Sequence, residues 1–222
     1  MEMFSRLFKE YPALGYAVCI AAWAAVFAAA LFLLSVFKNR TDLCRRYLTP
    51  ALAAGFLNLA AHLGDFFVTV RITPDLGLEA NPLWLAAATA FGLKTAIWYG
   101  LTGKILLSII SFELYFVYLS GRSALYPREK GGLLFFFRNF GSVPNNYGGK
   151  KAKGLFNIFS FLFSLSGLYC FYVIFLNIAF YSGSPVLKYG FPDPAAFLIV
   201  YLAVLTAVYF IENYSKYRAS FK

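Results

Sequence analysis

The sequence predicts an all-α, polytopic transmembrane helical bundle of about five spans, with one short helix that does not cross. Three observations carry this. The 222 residues are 60% hydrophobic and 14% charged, with a mean hydropathy of +0.65, against roughly 45–50% and about 25% in a soluble domain. The apolar residues form long runs, and a helix needs roughly 20 of them at 1.5 Å rise to cross a hydrocarbon core of about 30 Å. Aromatic residues reach 20%, and Tyr and Trp gather near the ends of those runs, where amphipathic rings favour the headgroup zone.

The first run, 11–37, is too long for the core of a signal peptide and has no short basic start followed by a cleavage site, so it reads as a retained span. The second is 47–70. The region 82–120 is longer than one crossing needs, and Gly92 divides it into a short helix, 82–91, and a span of about 95–119. The last two spans are 155–181 and 195–211. Neither an internal repeat nor a low-complexity tail is present.

The net charge is +10, but the basic residues sit in clusters between apolar runs and not along one soluble face. That argues against nucleic acid and for anionic lipid headgroups as the counter-charge. Short loops rich in Lys and Arg stay in the cytoplasm. With five spans, the clusters at 38–46, 122–153 and 216–222 share one side, and only Arg6, Lys9, Arg71 and Lys188 lie opposite. This puts the N-terminus outside, the C-terminus and the basic loop 121–154 in the cytoplasm, and the protein in a prokaryotic plasma (inner) membrane. Within that loop LLFFFRNF is too short to span and precedes NNYGGKKAKG, as suits an interfacial segment on anionic lipid. Cys19, Cys44 and Cys170 have no CxxC spacing and read as reduced packing residues.

In the second span Asn58, His62, Asp65 and Thr69 recur at helical spacing on one face. A charge at mid-bilayer costs about 2.5–3.5 kcal/mol on insertion scales, so it turns inward and seeks a partner. Lys104 is the matching group, and Lys104, Ser108 and Ser111 also share a face. Antiparallel packing puts Asp65 and Thr69 near the depth of Lys104, with Asn58 opposite Ser111. The connecting loop brings Glu79, Asn81 and Pro82 to the start of the short helix, with Asn81 as N-cap and Pro82 at the first helical position. That helix N-terminus has the polarity to hold Glu79, a substrate anion or the Asp65 carboxylate; the plainer reading is a cap alone. Glu113 faces away from Lys104, toward another span or toward water at the inner boundary. Asn157, Ser160 and Ser164 form a polar face on the fourth span, as a lining or as helix–helix glue. Glu212, at the end of the last span, is expected to snorkel.

The run from Leu57 to Ile110, with Asp65 and Thr69 on one helix, then Glu79-x-Asn81-Pro82, then Lys104 in the next span, resembles a family of small, largely uncharacterised bacterial and archaeal membrane proteins. The resemblance covers about residues 56–110, a quarter of the chain. His62 is not part of the family pattern, the loop here is somewhat longer, and the resemblance implies no activity.

Three functions fit these residues. A carboxylate, an ammonium and a helix N-terminus within a bundle suit transport of a cation, a proton or a small solute; a chain this small, without a second copy of the motif, would then work as a homo-oligomer. An intramembrane enzyme acting on a lipid or isoprenoid would use Asp65 or Glu79 as general base and Lys104 to hold a phosphate or carboxylate. A structural network in an accessory subunit would need neither. His62, Asp65 and Glu79 form a three-ligand metal alternative. The sequence names no cofactor, and it holds no P-loop, Ser/His/Asp order or CDP-alcohol transferase motif.

Overall fold

The computed structural model describes residues 10–11, 13–22, 24, 28, 41–76, 81–141, 150–183 and 193–221. Among them every regular element is a helix: α1 (Ala13–Ala22), α2 (Thr41–Ile72), α3 (Pro82–Phe91), α4 (Leu93–Gly121), α5 (Leu133–Asn139), α6 (Lys150–Ser166), α7 (Tyr169–Tyr181) and α8 (Pro194–Ala219). Four stretches are long and apolar enough to cross a bilayer: Arg46–Ile72, Leu93–Leu125, Lys153–Tyr181 and Pro194–Ala219. The chain is therefore a multi-pass membrane protein. Of the first expected span, 11–37, α1 is described and most of the remainder lies outside the described residues.

The short helix arises from its two ends. Asn81 accepts a hydrogen bond from Leu83 N at 3.0 Å, and Pro82, which lacks an N–H, fills the first position. At the other end Gly92 adopts φ +82°, a conformation that a Cβ disfavours, and the chain turns there into α4. Trp84 of α3 lies against Phe66 of α2 and fits where Gly100 of α4 has no side chain. Together with Cys19 and Leu76 these contacts form one core.

α4 is the central helix, packed against α2, α3 and α6, while α2 also meets α7. A close approach at Gly55, where a Cβ would stand 2.8 Å from Phe112 Cβ, brings α2 onto α4. The spanning segment Lys153–Tyr181 is not continuous. It matches the span expected over 155–181 and breaks midway, at Gly167 and Leu168, into α6 and α7. The run Ser164-Leu165-Ser166-Gly167 supplies the cause, since clustered Ser and Gly are a common site of helix kinking.

The opposite end of the bundle has a second core, in which Tyr118, Phe161 and Tyr209 pack together. Glu212 does not snorkel as the sequence suggests. It forms an ion pair with Arg122 and accepts from Tyr118 Oη at 2.9 Å. Asn213 Oδ1 accepts from Tyr126 Oη at 3.1 Å, and Asn157 bridges Tyr209 Oη and the Tyr118 carbonyl. Glu113 is 3% exposed, so it does not reach water, and its Oε2 has no partner among the described residues. LLFFFRNF contains α5, which inserts Phe136 among Tyr126, Tyr214 and Tyr217 while leaving Leu134 85% exposed.

Removing the Glu212 charge leaves Arg122 uncompensated in a partly desolvated site. Glu212→Gln is expected to destabilise the detergent-solubilised protein by about 1–2 kcal/mol, read as a lowered unfolding midpoint, with Arg122→Met/Glu212→Gln less destabilised than Glu212→Gln alone.

Candidate functional site

The polar face of α2 meets a different partner at each depth. Lys104 Nζ of α4 donates to Asp65 Oδ2 at 2.5 Å. The two side chains are 19% and 14% exposed, so the pair is half-buried and not sealed. Ser108 and Ser111 do not continue this pairing. Ser108 Oγ donates to the Lys104 carbonyl and Ser111 Oγ to that of Leu107, both at 2.8 Å, bonds within their own helix.

Asn58 turns away from Ser111 and toward the broken span. Its Nδ2 donates to the Ala54 carbonyl at 2.8 Å and to the Ser164 carbonyl at 2.6 Å. The physical reason is the break: a helix that ends at Ser166 leaves its last carbonyls without intrahelical donors, and in hydrocarbon water cannot supply them. Asn58 takes the Ser164 carbonyl, and Tyr201 Oη of α8 adds a bond at 2.6 Å to that of Leu165, which also accepts from Leu168 N at 3.1 Å. Ser160 and Ser164 bond back to carbonyls of α6, while Asn157 ties α6 to α4 and α8.

His62 lies one turn above Asn58, with Nδ1 3.4 Å from Cys170 Sγ. Which of the two donates follows the imidazole tautomer, and the other ring nitrogen is Nε2. That nitrogen and the otherwise unpartnered Asn58 Oδ1 both occupy the space that a Cβ on Gly167 would need, Nε2 coming within 2.7 Å of it. Only glycine fits between the imidazole and the amide. The metal alternative gains no geometry: His62 faces Cys170, Glu79 lies outside the described residues, and among the described residues no group of three His, Cys, Asp or Glu is placed to hold an ion.

Above the His62–Cys170 contact a cavity of about 500 Å³ opens between α2, α3, α4, α7 and the start of α8. Asp65, Thr69, Asn81 and Lys104, four residues named from the sequence, line it together with Thr73, Trp84, Asn177 and Tyr181. Asn177 carried no signal, because it stands alone in an apolar run without a second polar residue at helical spacing. Ile72, Val173 and Pro194 supply the apolar wall. A smaller cavity of about 150 Å³ shares Asn81, Trp84 and Lys104 and extends along α4 past Gly100 and Gly103.

The start of α3 is not a vacant anion site. Leu83 N bonds to Asn81 Oδ1, while Trp84 N and Leu85 N bond to the Asn81 carbonyl at 3.1 and 3.2 Å. Asn81 thus satisfies those first amides and fixes the cavity rim. The donor set facing the cavity is chiefly side chains: an ion pair, hydroxyls and amides on an apolar scaffold, the composition of a small-molecule pocket.

Gly167→Ala is expected to drive a methyl group into the Asn58 amide and His62 ring, destabilising the protein by about 1–3 kcal/mol. Thermal unfolding of the purified protein checks this, and the Gly167→Ala/His62→Ala variant is expected to recover part of the loss. No protein-family profile, curated protein or solved structure matches this chain.

Proposed function

We propose that this membrane protein binds a small polar solute in the cavity at Asp65 and Lys104 and carries it across the bilayer. The observation that supports this is a cavity of about 500 Å³ with an ion pair in its wall. Ionisable side chains inside a membrane are expensive, and they are retained mainly where a pathway or binding site uses them. The discontinuous span adds to the reading. Irregular backbone at membrane depth is tolerated where protein buries it or a cavity adjoins it, and broken helices at mid-membrane are a common feature of secondary carriers.

In this reading the cavity faces outward, on the side of loop 73–81, and the basic loop 121–154 rests on anionic lipid of the cytoplasmic leaflet. Gly167 is the hinge about which α7 moves against α6. The carrier works as a homo-oligomer, since one copy of this chain has no repeat to rock against. The enzymatic alternative has less support, because the cavity wall contains no His, Cys or Ser among the described residues.

Reconstitution tests the reading. Proteoliposomes containing the protein should accumulate one class of small labelled solute above empty vesicles, and Asp65→Asn or Lys104→Met should each lower that uptake on the order of tenfold, the equivalent of about 1.4 kcal/mol of lost binding. Both variants should remain monodisperse in detergent. Uptake equal to that of empty vesicles across sugars, amino acids, amines and carboxylates, or wild-type uptake in both variants, would refute carriage.

A further inference from the structure

Glu113 of α4 belongs to neither polar network. It lies near the middle of the spanning stretch Leu93–Leu125, is 3% exposed, and its Oε2 is enclosed without a hydrogen-bond partner among the described residues. The nearest cations along the helix are committed elsewhere, Lys104 to Asp65 and Arg122 to Glu212. Each stands nine residues from Glu113, which is about two and a half turns, or about 14 Å, and therefore on the opposite face of α4.

The helices packed on α4 supply no counter-charge from their described side chains. On α2, His62 meets Cys170 and Asp65 meets Lys104, while Arg46 and Arg71 are exposed near its ends. α3 has no titratable side chain, and on α6 the described one is Lys153, exposed near its start. Tyr115 and Tyr118 of α4 itself turn into the second core, where Tyr118 Oη donates to Glu212.

An ionised carboxylate is not stable in such a place. Taken out of water without a partner, it is so costly that the group neutralises itself by binding a proton. Ca²⁺ or Mg²⁺ would need about six or more oxygen ligands, and among the described residues no group of three His, Cys, Asp or Glu is placed to hold an ion. A proton needs one oxygen. A side chain kept for structure alone would be bonded, as Asn157, Glu212 and Asn213 are.

α4 links this carboxyl to the cavity. The helix is unbroken from Leu93 to Gly121, so Lys104 in the cavity wall and Glu113 move as one body. A tilt of α4 that turns the cavity toward the other side of the membrane shifts Glu113 as well, and a carboxyl that meets water ionises and releases its proton. Building on the carrier reading, we propose that Glu113 is a proton-binding site of the carrier: a carboxylic acid that holds one proton in this conformation and gives it up when α4 moves, so that solute carriage is coupled to proton movement.

Infrared spectroscopy of the purified full-length protein in detergent, with glutamate carrying ¹³C at the side-chain carboxyl, reads the proton directly. Glu10 and Glu129 are exposed and Glu212 is paired with Arg122. At about pH 6, above the usual Glu value of about 4.3, the carbonyl band of a protonated carboxyl should therefore remain for Glu113 and be lost in Glu113→Gln. The wild-type spectrum decides the point even if the variant does not fold, because absence of that band overturns the proposal. Coupling is read in proteoliposomes loaded with a pH-sensitive dye, to which the sugars, amino acids, amines and carboxylates of the uptake screen are added one class at a time. The class that accumulates should also acidify the interior beyond empty vesicles, and in Glu113→Gln the protons entering per solute should fall to the empty-vesicle level. Equal proton entry per solute in wild type and variant would overturn the proposal. Failure of wild-type uptake would strike the carrier reading and the coupling with it, while the infrared band would still report the proton on Glu113.

Discussion

A carboxylate and an ammonium inside a bilayer are each too costly to leave alone, and in this protein the cost is met by bringing Asp65 of one helix against Lys104 of the next. Much of the site follows from that contact. It fixes the relative height of α2 and α4, which sets where Thr69 and Thr73 come to rest. It also fixes the position of α3, because Trp84 fills the gap between Phe66 and Gly100 at the same level. A neutral leucine pair would hold the helices together as well, but it would fix no register and would line no polar cavity.

The same rule, that polar atoms in hydrocarbon need partners, organises the other half of the site. Breaking a span in the middle frees carbonyls with no water to donate to them. Asn58 and Tyr201 reach across from two other helices to the Ser164 and Leu165 carbonyls. His62 meets Cys170 just beyond the break. The stripe on α2 therefore serves two ends: its lower part supports an interrupted helix, and its upper part faces the cavity. At the far end of the bundle Arg122, Glu212, Asn213 and the tyrosines around them form a separate network, which holds α4 and α8 together and has no access to the cavity lining.

Much of this is readable from the chain itself. Helical spacing puts Asn58, His62, Asp65 and Thr69 on one face, and loop length sets Lys104 at a matching depth. Asn81-Pro82 and Gly92 mark the ends of α3 by their chemistry. Other features depend on tertiary context. The partner of Asn58 is a backbone carbonyl released 106 residues away, and no side-chain pattern encodes that. The break itself had a local sign in Ser164-Leu165-Ser166-Gly167, masked by the hydrophobicity of the surrounding run. Trp84 gives no sign in the sequence that its indole edge is seated against Gly100, on the next helix. Glu212 looks like a snorkelling terminal charge because Arg122 is 90 residues away in sequence.

The account stands or falls on whether positions 65 and 104 face each other as opposite charges. Exchanging them measures this most directly: Asp65→Lys and Lys104→Asp singly place two like charges together, and the double variant restores an ion pair with its polarity reversed. The account predicts that each single variant loses most of its monodisperse yield and thermal stability, and that the double variant recovers a large part of both. A double variant no better than the worse single one would contradict it.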